Sequence, residues 1–189
     1  MIPLPKTEIH VPEGKSIATL GTGCFWCTEA IFQKLKGVAT VASGFSGGHV
    51  ENPSYQQVVT GTTGHAEVVQ LVFDPSLISF PELLEVFWSS HDPTTLNRQG
   101  ADVGPQYRSA IFYHTESQKE EAKKYLESLE KSKVFNDPIV TEITPFSNFY
   151  PAEDYHRNYF ELNGNQPYCQ FVIRPKVEKF KQAFADKLR

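Results

Sequence analysis

A chain of 189 residues with 40% hydrophobic content is long enough for one globular domain with a sizeable core. Its formal charge of -4, with both signs mixed along the chain, offers no basic face and argues against a nucleic-acid partner. No apolar run approaches a membrane span, the N-terminus lacks a signal-peptide pattern, and three cysteines do not make a disulfide scaffold. A cytoplasmic protein that uses its thiols for chemistry is the expectation.

Residues 1–15, with prolines at 3, 5 and 12, read as an extended N-terminal arm. Ser16 to Leu20 predicts a strand, and Trp26 to Leu35 carries apolar residues at helical spacing. Val38 to Gly44 predicts a second strand, followed by a polar, glycine-rich loop from Ser46 to Ser54. Glu67 to Phe73 (EVVQLVF) predicts a strong strand ended by Asp74-Pro75, and Ser79-Phe80-Pro81-Glu82 has the form of a capping box opening a helix. His91 to Gln106 is a long polar segment, the kind that is usually functional or disordered in a compact domain. Tyr107 to Tyr113 predicts a strand, Thr115 to Lys131 a charged amphipathic helix, and Ile139 to Ile143 a further strand before the aromatic segment Phe146 to Tyr150. Glu153 to Leu162 predicts a helix, Tyr168 to Ile173 an apolar strand, and Val177 to Leu188 a closing helix. The order β-α-β-β-α-β, then α and β, predicts a single domain over 1–189. Its fold class is an α/β (α+β) two-layer sandwich, with a mixed sheet and a split βαβ, ferredoxin-like core.

Within this pattern Cys24 falls at a strand-to-helix junction, where free amide N–H groups and the helix dipole favour a thiolate over a thiol. Phe25 and Trp26 beside it form an apolar wall for a group such as a methyl, or belong to the core as most aromatics do. Cys24-Phe-Trp-Cys27 read alone is a thioredoxin-like redox pattern. The pair Cys24/Cys27 with His65-Ala-Glu67 resembles zinc-deaminase signatures, but in the wrong chain order and without the proline before the first cysteine. Glu67 opens an apolar strand. It is either a solvated carboxylate or, if it faces the aromatic pocket, a carboxyl kept protonated by desolvation and able to donate a proton. Asp102, Tyr55 and Tyr107 carry the same choice between surface turns and a catalytic cluster.

Gly-Cys-Phe-Trp at 23–26, Gly-His-Ala-Glu at 64–67, Asn-Arg-Gln-Gly-Ala-Asp-Val-Gly-Pro-Gln-Tyr-Arg-Ser-Ala-Ile at 97–111 and Phe-Tyr-Pro-Ala-Glu-Asp-Tyr-His at 149–156 together resemble the peptide methionine sulfoxide reductases of the A type. The resemblance implies an α/β sandwich that needs no cofactor or metal, reduces the S epimer of methionine sulfoxide, free or in proteins, and takes electrons from thioredoxin. It implies Cys24 as nucleophile, Glu67 as acid, Tyr55 and Tyr107 as holders of the sulfoxide oxygen, and Asp102 as a substrate-binding carboxylate. Phe25 and Trp26 would receive the S-methyl group, and His156 would stand near the site. A resulting sulfenic acid at Cys24 would be closed to a disulfide by a second thiol. Here the chain departs from the commonest pattern, which has glycine at the place of Cys27 and resolving cysteines in a mobile C-terminal tail. Cys27 is favoured as the resolving thiol and Cys169, in a run with the pattern of a buried strand, is the alternative.

Overall fold

The computed structural model describes residues 10–189, so most of the predicted N-terminal arm lies outside the described residues. From residue 16 onward the predicted order holds through most of the chain. β1 (Ser16–Thr22) leads into α1 (Phe25–Phe32), and β2 (Val38–Ser46) is followed by the one-turn α2 (Tyr55–Val58), β3 (Ala66–Phe73) and α3 (Phe80–Ser89). A small hairpin, β4 (Arg98–Gln99) and β5 (Asp102–Val103), occupies the long polar segment. Then come β6 (Ser109–Tyr113), α4 (Glu116–Ser132), β7 (Glu142–Pro145), β8 (Tyr150–Pro151), α5 (Tyr159–Leu162) and α6 (Arg174–Ala183).

The six-stranded sheet has the order β7-β6-β1-β3-β2-β8. β3 pairs antiparallel with both β1 and β2, so the unit β1-α1-β2 is split by it. β1 in turn separates β3 from β6, and β7 adds parallel to β6, which makes the sheet mixed. These are the split βαβ connections that the element order predicts.

Strand periodicity divides the two faces. On β3, Val69, Leu71 and Phe73 join the large core beneath α1, α3 and α6, whereas Ala66 and Val68 join a smaller cluster with Ala110, Phe112 and Phe149 on the opposite face. By the same alternation Glu67 shares the helix-facing side with Val69. Gly44 lets the segment before β8 lie close against β2: a Cβ there would stand 2.5 Å from the Phe149 ring and from the Tyr150 carbonyl.

The predicted capping box is present. Ser79 accepts from the Glu82 amide at 3.2 Å, and the Glu82 carboxylate accepts from the Ser79 amide at 3.3 Å. Three predictions fail in the last third of the chain. Tyr168 to Ile173 is not a strand; Cys169–Ile173 is a turn of π-helix that runs directly into α6. Cys169, Ile173, Val177, Phe180 and Phe184 are all buried, and their spacing of four, four, three and four is helical. A six-residue window shows only the apolar run. The predicted helix Glu153 to Leu162 is broken into a 3₁₀ turn, Asp154–His156, and the single turn of α5, because Asn158 adopts the left-handed conformation (φ 52°) between them. The closing helix ends at Ala183 rather than Leu188, with a 3₁₀ turn after it.

Candidate active site

Gly23 makes the strand-to-helix turn at φ 112°, and a Cβ there would lie 2.8 Å from the Gln99 side chain. Cys24 follows as the N-cap of α1, with φ -58° and ψ 122°, and its sulfur makes no capping bond. The Thr22 and Thr28 hydroxyls, 2.7 Å apart, tie the end of β1 to the first turns of the helix. The orphan amide of Phe25 finds its acceptor outside the helix, donating to Glu67 Oε1 at 3.1 Å. Glu67 is 1% exposed, and its Oε2 has no protein hydrogen-bond partner.

Burial pushes the Glu67 carboxyl up to about 8, against the opposing pull of the Phe25 amide, so at neutral pH it is mostly protonated. With Oε1 accepting from Phe25, the proton sits naturally on Oε2. Burial, a hydrogen bond to Cys27 and the nearby Glu67 raise the Cys24 thiol well above its ordinary value, while Cys27, which receives that hydrogen bond, is lowered. Burial thus works against the thiolate that the helix N-terminus favours on Cys24. Burial, reinforced by Glu67, also pushes the Tyr55 and Tyr107 phenols upward, so both remain hydrogen-bond donors facing the acid and the thiol.

The other predicted residues gather around this centre. Phe25 is wholly buried, with its ring 5.6 Å from that of Phe45 and 6.1 Å from that of Tyr55. Half-buried Trp26 lies flat on Tyr159, with centroids 3.8 Å apart and planes 7° from parallel. Its indole Nε1–H donates to Nδ1 of buried His156 at 2.9 Å. Asp102, on β5, accepts from the Tyr168 hydroxyl at 2.6 Å. The same tyrosine lies close to the Cys24 and Cys27 thiols. Cys169 is fully buried next to the Cys27 side of the cluster, and burial raises its thiol. All the predicted residues thus belong to one neighbourhood.

His65, the histidine of the deaminase-like alternative, has both ring nitrogens engaged: Nδ1 accepts from the Gly48 amide at 3.0 Å and Nε2 donates to the Val50 carbonyl at 2.7 Å. It is a structural residue and presents no lone pair to a metal.

The sequence profile described as peptide methionine sulfoxide reductase matches residues 16–188. The peptide methionine sulfoxide reductase MsrA of Saccharolobus solfataricus is 55% identical over 92% of this chain and 97% of its own length. The chain belongs to the peptide methionine sulfoxide reductase family. Among solved structures, reduced Mxr1 from Saccharomyces cerevisiae aligns with a TM-score of 0.80 and 35% identity over 87% of this chain and 94% of its own. The complex of Mxr1 with Trx2 aligns at 0.57 and 27% identity, covering 82% and 91%.

Two tyrosines of this reductase escape the sequence motifs. Tyr168 is hidden by the strand-like look of its surroundings, and Tyr159 lies in a helix prediction that gives no reason to single it out. The helical spacing from Cys169 to Phe184 is the signal that would have turned Tyr168 inward.

Proposed function

We propose that this chain reduces the S epimer of methionine sulfoxide, free or within proteins, to methionine, with Cys24 as the nucleophile, Cys27 as the resolving thiol and thioredoxin as the reductant. The observation that carries the reading is the buried, unpartnered Oε2 of a carboxyl that is protonated near neutrality, on a residue bonded to the amide next to Cys24.

Each step balances. The Cys24 sulfur takes the sulfoxide oxygen as the S=O bond of the substrate breaks. Glu67 gives its proton to that oxygen and recovers one from the Cys24 thiol, so that methionine leaves and Cys24 becomes a sulfenic acid. Tyr55 and Tyr107 donate to the oxygen as negative charge grows on it. The Cys27 sulfur then displaces hydroxide from the Cys24 sulfenic acid, water forms with the Cys27 proton, and the resulting disulfide is opened by a dithiol. Trp26, seated between Tyr159 and His156, supports the methyl group of the substrate, and Asp102 with Tyr168 meets its polar part. The solved Mxr1–Trx2 complex supports thioredoxin as the electron donor for a family member, and a cytoplasmic, reducing setting suits the cycle.

The test is the consumption of racemic methionine sulfoxide with thioredoxin and its reductase. Turnover stopping near half of the substrate, with the R epimer left, is the expected result; complete consumption or no reduction would remove the reading.

A further inference from the structure

α1 carries a second buried acid for which the reaction scheme has no use. Glu29 is 2% exposed and stands three residues beyond Trp26, on the same side of the helix. Its carboxylate faces the backbone amides of Asn158 and Tyr159, the Ser43 hydroxyl on β2 and, more distantly, Arg157. Asn158 is the left-handed residue that breaks the chain between His156 and α5. Both partners of the Trp26 indole therefore come from the turn that Glu29 faces. His156 takes its N–H from the edge, and Tyr159 covers its face.

A cavity of about 440 Å³ lies at the same place, lined by Glu29, Ser43, Glu153, Asp154, His156 and Arg157 among others. An indole N–H can only donate, so the His156 nitrogen that receives it, Nδ1, is bare, and the proton of the neutral ring is on Nε2. Nε2 is buried without a protein partner on a residue that lines the cavity with Glu29. A space of this size, with a carboxylate and an unpartnered ring N–H on its wall, has room for bridging water.

We infer that Glu29 is a positioning residue for the methyl wall: its carboxylate holds the amides of the 156–159 turn and, through solvent in the cavity, the Nε2–H of His156, and so fixes Trp26 from two sides. The inference rests on the reading of Trp26 as part of the substrate pocket. Burial pushes the Glu29 carboxyl up to about 7, with the facing amides, Ser43 and Arg157 opposing that rise. Charged groups across the cavity are Glu153 and Asp154 on the same turn as Arg157; His156 itself is held below its ordinary value by burial. The grip of Glu29 on amide and imidazole N–H groups is stronger when it is ionised, so it loosens as pH falls through this range.

The test compares wild type with Glu29→Gln by two readouts. In the first, the KM for methionine sulfoxide in the variant rises about tenfold while the single-turnover rate at saturation changes less than about threefold, the pattern of a lost binding geometry rather than lost chemistry. In the second, the Trp26 indole N–H resonance, assigned with Trp26→Phe, titrates in wild type near pH 7 and loses that step in the variant. An unchanged KM, or a titration that survives in Glu29→Gln, overturns the inference. If the variant does not fold, Glu29→Asp serves instead: the shorter side chain draws the carboxylate back from the turn and raises KM in the same way, and an unchanged KM overturns the inference. Should the wild-type chain reduce no methionine sulfoxide, the proposed function fails, while the resonance still reports on Glu29 by itself.

Discussion

The Phe25 amide donates to Glu67 Oε1 at 3.1 Å across 42 residues of chain, which makes the proposed acid part of the helix cap that presents the nucleophile. The bond settles which carboxyl oxygen is occupied and leaves Oε2 buried without a protein partner. It also couples the start of β3 to the start of α1, so a displacement of either moves acid and sulfur together.

Glu67→Gln keeps the acceptor for the Phe25 amide but has no transferable proton. Single-turnover release of methionine is expected to slow by a factor on the order of 10² to 10⁴, the range for a lost general acid. Wild type should hold a level rate below about pH 8, where the carboxyl carries its proton, and lose rate above it. A rate that keeps climbing through pH 9 would instead assign control to thiol ionisation.

The same substitution should stabilise the fold in alkaline solution. Glu67 binds a proton in the folded state up to about pH 8, whereas the unfolded chain releases it near 4.5. Folded protein thus holds more protons between these values, and stability falls as pH rises through the window. Gln has no such dependence. Since each tenfold change in ionisation is worth about 1.4 kcal/mol, Glu67→Gln should exceed wild type by a few kcal/mol at pH 9 and by much less at pH 5 in urea unfolding. A difference independent of pH would mean that the carboxyl is not desolvated.

Most of the frame is legible from local rules. EVVQLVF alternates so that Glu67 must face the side of Val69 and Leu71, and Ser79 with Glu82 closes its cap entirely within four residues. The C-terminal third obeys a longer period. Cys169 to Phe184 shows its helical spacing only over four turns, interrupted by a π-turn and by Pro175, and a short window mistakes it for a strand. The site residues found by motif are those near the sulfur. Tyr168 and Tyr159, which the motifs miss, are placed by tertiary contacts to Asp102, 66 residues away, and to Trp26, and no local pattern encodes such pairs.

Tyr168→Phe removes the hydroxyl that Asp102 accepts at 2.6 Å. Hydrogen bonds to a charged acceptor are worth roughly 1.5–3 kcal/mol, so kcat/KM for a peptide sulfoxide should fall by about one to two orders of magnitude. Comparing kcat/KM of the variant with that of wild type would show this; an unchanged kcat/KM would confine Tyr168 to packing.

The resolving thiol separates Cys27 from Cys169. Cys27 lies one helical turn from Cys24 at the helix start, and its thiol is lowered where that of Cys24 is raised, so it combines proximity with the greater acidity of the two. Cys169 sits in the core with no exposed surface, on a helical turn rather than the strand its sequence suggests, and burial raises its thiol. Cys27→Ser should therefore release one methionine per chain and then stop with thioredoxin, its Cys24 trapped as sulfenic acid and open to dimedone. Cys169→Ser should keep multiple turnovers and form a Cys24–Cys27 disulfide, seen by peptide mass spectrometry after one turnover without reductant. The reverse pattern would transfer the role to Cys169. Recycling by both single variants would call for the double variant: if that still turns over, reductant attacks Cys24 directly, and if it stops, either thiol can close the bond.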